Sequence, residues 1–177
     1  MLKAIPGVVA VLFALSTTGG PKPTSATFVS AADVQATLQK APPSEVSDQA
    51  IRMVDLGSLG YNVGVSVVSR PKSAKEGPPF EHDKVTEVYH VISGSGTLVT
   101  GGKLIDAKPR PANARQVVEL NGPSSSGTSV EGGDTRRLSA GDVVIIPAGV
   151  NHWFTDVQES MTYIVVRVDA EKVVTLK

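Results

Sequence analysis

The chain has 177 residues, room for one domain with a sizeable core but little for two. Lysine plus arginine equals aspartate plus glutamate at 17 each, and no basic run occurs, so neither nucleic acid nor an anionic membrane is indicated as a partner; a small molecule is the default. The absence of cysteine excludes disulfides, thiolate metal sites, cysteine nucleophiles and a lipid anchor on Cys.

In chain order, residues 1–26 have the layout of an export signal and linker: Lys3 gives the positive start, Ala4 to Leu15 an apolar stretch, and small residues follow. The apolar stretch is too short to span a bilayer permanently, so the expected location is secreted or periplasmic. Residues 27–50 form an amino-terminal arm. Within it AADVQATLQK, from Ala31, has helical spacing, with Ser30 as N-cap and Pro42-Pro43 as the stop. The arm either packs on the outside of the domain or across a dimer, or is a loosely held extension.

The remaining domain, residues 51–177, reads as strands. Ile51 to Leu56 and Tyr61 to Arg70 are rich in Val and Ile and are divided by a Gly57 to Gly60 turn. Asn62, Gly64, Ser66, Val68 and Arg70 share one face, which lines a cavity or meets solvent. A Pro71 to Pro79 loop leads to Phe80–Gly96, with a strand to Thr100. Lys103 to Arg115 is irregular, Gln116 to Leu120 is expected as a strand, and Asn121 to Gly127 as a flexible loop. Two short strands about Gly132-Gly133 and a final one over Tyr163 to Val168 follow. Gly94-Ser95-Gly96 is expected as a hairpin turn. Many short strands punctuated by glycine and proline predict an all-β sandwich or barrel with one short helix.

The chain's organising stretch is GDVVIIPAGVNHWFTD, Gly141 to Asp156. A buried strand, Val143 to Ile146, enters a turn made rigid by Pro147 and Gly149, and His152 follows at once, its backbone position dictated by the turn. The spacing of Gly141, Pro147, Gly149 and His152 resembles the second signature motif of the cupin superfamily, with Asp156 in place of the motif's final Asn. Upstream, GPPFEHDKVTEVYHVISG is similar to the first motif: Glu87 and Gly94 stand at the required separation, and His82 takes the place of the second histidine. Phe80 stands where the first histidine belongs.

The resemblance implies a small antiparallel double-sheet barrel of jelly-roll type in which His82, Glu87 and His152 converge on one divalent metal: iron, manganese, zinc or nickel. It also implies a homodimer. A turn at Asp83-Lys84 is required, because five positions along a straight strand would put His82 and Glu87 on opposite faces. By strand parity Tyr89 joins Glu87 in the cavity, as a candidate for proton transfer or as an aromatic filling the barrel, while His90 points away. Phe154 faces inward and Trp153 outward, against the arm or a second subunit. Arg136-Arg137 form a solvated strand face or clamp an anion at the barrel mouth, and Asp83 and Asp156 flank the metal set as acceptors for imidazole N–H. Ser124 to Ser126 lack the strand-to-helix setting of a nucleophile elbow, which sets aside a serine hydrolase.

Two functional classes follow. One is an exported metalloenzyme acting on a small oxygen-rich substrate by dioxygenase, decarboxylase, lyase or isomerase chemistry. The other is a barrel that binds a small ligand without turnover.

Overall fold

The computed structural model describes residues 23–175, and the expected export signal lies largely outside them. One helix, α1 (Ala31–Leu38), precedes eleven strands. These are β1 (Ser47–Leu56), β2 (Tyr61–Arg70), β3 (Phe80–His82), β4 (Val85–Thr100), β5 (Lys103–Ile105) and β6 (Lys108–Pro109). They continue with β7 (Ser124–Ser126), β8 (Ser129–Glu131), β9 (Asp134–Ser139), β10 (Val143–Ile146) and β11 (His152–Asp169). The helix is capped as its sequence requires: Ser30 Oγ accepts from the Asp33 amide and the Asp33 carboxylate accepts from the Ser30 amide, a reciprocal box that satisfies two otherwise orphaned N–H groups. No helix among the described residues is long and apolar enough to cross a membrane.

All strand pairs are antiparallel, and two long strands organise them. The first half of β4 lies between β10 and the second half of β11, which in turn pairs with β2 and through it β1. The second half of β4 lies between β9 and the first half of β11, which continues through β3 to β7 and β6. β4 and β11 therefore belong to both layers of a jelly-roll barrel. What bends them from one layer to the other is a series of register shifts in β11 between Phe154 and Tyr163, opposite Gly94 and Gly96 in β4. Gly94 has φ +77, and a Cβ there would collide with the Ser160 carbonyl. Gly94-Ser95-Gly96 is thus the bend of a continuous strand, not the hairpin turn expected from sequence.

Between the layers lies a core that includes Val68, Val91, Leu98, Leu138, Ile146, Phe154, Met161, Tyr163 and Val165. Alternation along β11 explains it: Met161, Tyr163, Val165, Arg167 and Asp169 are buried and the residues between them are not. On β2 the face bearing Asn62, Gly64, Ser66, Val68 and Arg70 is the buried one, which resolves the choice left open by its composition.

Three further expectations are corrected. Gln116 to Leu120 is not a strand; the chain makes a wide helical turn over Val117–Asn121, burying Val117 and Leu120. The Asn121 to Gly127 loop contains β7, paired with β3, because its serines fit a short strand once β3 offers an edge. β1 begins at Ser47, four residues before the apolar run, and so brings Asp48 into the barrel wall.

Candidate metal centre

His82 ends β3, and the bend at Asp83-Lys84 separates it from β4, so that Glu87 can turn to the same interior point; the required turn is present. His152 opens β11 directly after the Pro147 to Gly149 turn, where the Gly149 amide donates to the His82 carbonyl at 2.8 Å. All three side chains are buried, and one ligand atom from each lies within 4.8 Å of the others.

The hydrogen bonds behind the two imidazoles determine what they present. Ser124 Oγ spends its proton on the Gly122 carbonyl at 2.8 Å, so toward His82 Nδ1, 3.0 Å away, it can only accept. His152 Nδ1 faces the Val150 carbonyl at 3.3 Å, also an acceptor. Each ring therefore carries a hydrogen on Nδ1 and, in its ligating form, turns an Nε2 lone pair inward. Both Nε2 atoms are buried without a hydrogen-bond partner, and they stand 3.7 Å (His82) and 3.3 Å (His152) from Glu87 Oε2. Burial lowers the His82 pKa to about 3, more than the nearby Glu87 carboxylate restores, so its approach to Glu87 is no ion pair near neutral pH.

Glu87 is held from behind. Arg167, its direct cross-strand neighbour, donates Nε to Glu87 Oε1 at 2.8 Å, and Tyr89 donates its hydroxyl to Oε2 at 2.8 Å. Burial opposes the carboxylate's charge, but the Arg167 guanidinium, foremost among the groups around it, helps to outweigh that and hold the Glu87 pKa well below the usual range. Arg167 is itself satisfied by Asp48 on β1, at 2.6 and 3.2 Å, and by Ser66 on β2 at 2.9 Å. Burial would weaken its charge, but Asp48 and Glu87 more than compensate and raise its pKa. Tyr89 keeps its proton: burial and the adjacent Glu87 push its pKa well above the ordinary phenol value.

Phe80, where the first motif would have a histidine, lays its ring edge-on to His152 at 4.7 Å and 5.4 Å from His82, closing one side of the group with hydrocarbon. The donor set is two neutral imidazole nitrogens and one carboxylate oxygen, with lone pairs facing one another. Such a set fits a divalent cation, whose charge would replace that mutual repulsion with attraction.

These residues open into a cavity of about 340 Å³. Arg70 crosses its wall, bonded to Tyr163 Oη at 3.0 Å and Glu76 at 2.6 Å, with the guanidinium 4.5 Å over the Phe154 ring. Phe154 is inward and His90 exposed, as parity requires. Trp153 is half-buried, and its indole N–H donates to the Gly77 carbonyl at the cavity rim. Arg136 and Arg137 lie exposed on β9, with Arg137 reaching Ser95, and do not line this cavity. Asp83 is exposed, and Asp156 binds Gln158; neither accepts from an imidazole.

Ser124, Arg167, Asp48, Arg70 and Tyr163 were not singled out as site residues from sequence. Arg167 was detectable as a lone cation in the apolar alternation YIVVRV, on the parity of Tyr163 and Val165. Ser124 carried no such sign, since its role depends on a pairing 42 residues distant.

The cupin family profile matches residues 60–177. The chain belongs to the cupin family. No curated protein matches it. Among solved structures, this cupin is similar to the EutQ protein of Clostridium difficile, at 16% identity over 71% of this chain and 69% of that one, with a TM-score of 0.41. It is similar to KdgF of a Halomonas species at 13% identity over 73% and 83%, with a TM-score of 0.43. A recombinant oxalate oxidase in complex with glycolate aligns at 18% identity and a TM-score of 0.44, over 89% of this chain; the cupin spans 62% of that protein's length.

Proposed function

We propose that this cupin is an exported metalloenzyme acting on a small oxygen-rich organic substrate by dioxygenase, decarboxylase, lyase or isomerase chemistry. The observation that carries the reading is the pair of orphaned, inward-facing Nε2 atoms on His82 and His152 beside Glu87 Oε2. A divalent metal held by His82, Glu87 and His152 supplies Lewis acidity at the head of the cavity. Ser124 and the Val150 carbonyl hold the imidazoles in the ligating tautomer. Arg167 and Tyr89 hold Glu87 so that Oε2 is the oxygen offered, and Phe80 keeps water from one side of the group. Tyr89 is the candidate proton donor, since its hydroxyl lies against Glu87 Oε2 on the cavity wall. Metal identity separates the chemistries: iron and manganese suit oxidation, zinc the redox-neutral reactions.

One observation favours a second reading, a binding barrel without turnover: the Tyr89 hydroxyl is already committed to Glu87 and its proton is tightly held. In either reading the protein acts outside the cytoplasm as a homodimer.

Elemental analysis of the protein, purified without a metal-binding tag, tests the metal directly. One divalent ion per chain is expected in the wild type and none in His152→Ala, with the barrel still folded by circular dichroism. Absence of metal after reconstitution with iron, manganese, zinc and nickel would defeat the metalloenzyme reading.

A further inference from the structure

The cavity has a second polar group of residues, on the segment joining β6 to β7, that the metal ligands do not use. Arg110 lines the cavity, and its guanidinium makes no hydrogen bond or ion pair among the described residues. Its backbone is fixed, because the Arg110 amide donates to the Ser124 carbonyl at 2.8 Å, on the strand whose Ser124 hydroxyl supports His82. The other arginines of the wall are paired, Arg70 with Glu76, Arg115 with Glu119 and Arg167 with Asp48 and Glu87, and Lys75, also on the wall, is exposed to solvent. Asn121, at the end of the helical turn, is 6% exposed and lines the same cavity, and its Oδ1 is buried without a partner.

A buried acceptor without a donor costs stability, and the half-buried Arg110 guanidinium on the wall of the same cavity has no counter-charge. One ligand chemistry satisfies both: a carboxylate for Arg110 and a hydroxyl, donating its hydrogen, for Asn121 Oδ1. A cavity of about 340 Å³ limits the ligand to a few carbons or a single sugar-sized chain. We propose that Arg110 and Asn121 form the specificity subsite of this cavity, and that its substrate is a small hydroxycarboxylate anion. This rests on the metal-site reading only in taking the ligand's remaining oxygens to face His82, Glu87 and His152.

The test is calorimetric titration of the full protein with lactate and gluconate, against propionate, which lacks the hydroxyl, and lactamide, which lacks the charge. Metal content is measured on the same samples, with and without chelator treatment. Wild type is expected to bind the hydroxy acids. Arg110→Met should weaken them about ten- to a hundredfold and leave lactamide unchanged. Asn121→Leu should abolish the preference for lactate over propionate without lowering the melting temperature, because it removes an unpaired buried amide. Hydroxy-acid affinity unchanged in Arg110→Met, no hydroxy-acid binding by wild type, or a lower melting temperature in Asn121→Leu would each overturn the assignment. Arg110-dependent binding in protein that takes up no metal even on reconstitution would support the subsite while removing the metal reading.

Discussion

Ser124 shows how much of a site can rest on a residue without reactive chemistry of its own. By donating to Gly122 it is left only as an acceptor, which puts the His82 hydrogen on Nδ1 and the lone pair on the ligating side. Ser124→Ala should therefore weaken metal binding about ten- to a hundredfold, measured by competition with a chromogenic chelator, while changing the unfolding midpoint little. An unchanged metal affinity would mean that the tautomer is set elsewhere. At this scale the sequence was legible where motif spacing dictated backbone position: His82, Glu87 and His152 meet as expected, and the parity of Tyr89, His90 and Phe154 holds. It was illegible where a role depends on a partner brought in by folding. Ser124 was read as part of a loop, and Arg167 went unremarked although Glu87 lies directly across the ladder from it.

The elements most exposed to error from sequence were those whose form depends on neighbours. β7 is three serines with little strand preference, and it exists because β3 and β6 flank it. The turn at Val117–Asn121 contains two adjacent valines that read as strand, yet burial of Val117 and Leu120 overrides that preference. In β4 the Gly94 to Gly96 stretch has turn composition, but its glycines serve close approach between strands. Gly94→Ala combines a left-handed backbone with a collision against the Ser160 carbonyl, whereas Gly60→Ala, at φ +86, meets nothing within 4 Å. Gly60→Ala should cost about 1–2 kcal/mol of unfolding free energy in urea, the left-handed penalty alone. Gly94→Ala should cost more, about 3 kcal/mol or above. Equal losses would show that the bend relaxes freely.

For the molecule as a whole, acid is the expected weakness. His82 takes up a proton near pH 6.5 when unfolded but only near 3 when folded, so between those values the unfolded chain binds more protons and stability falls as pH falls. Glu87 adds to this: its depressed pKa contributes stability above the ordinary carboxylate range, and that contribution is lost as pH drops through its folded value. Chelator-treated protein should lose on the order of a few kcal/mol between pH 6.5 and 4, followed by urea denaturation at each pH. A flat profile would mean that the folded state admits a proton to His82 at little cost. The fold class was legible from strand punctuation and the two motifs, and the helix from its cap. Which strand halves share a layer was not, because both long strands change partners midway.

That change of partners gives the three ligands different owners. Glu87, with Arg167, Asp48 and Tyr89, stands on the layer closed by β1 and β10, whereas His82 and His152 stand on the layer closed by β6 and β9. An ion held between them would be a rivet through both leaves of the barrel. Any breathing motion that parts the leaves also pulls the ligands apart, so the rate at which metal leaves and the rate at which the barrel opens should be governed by one barrier.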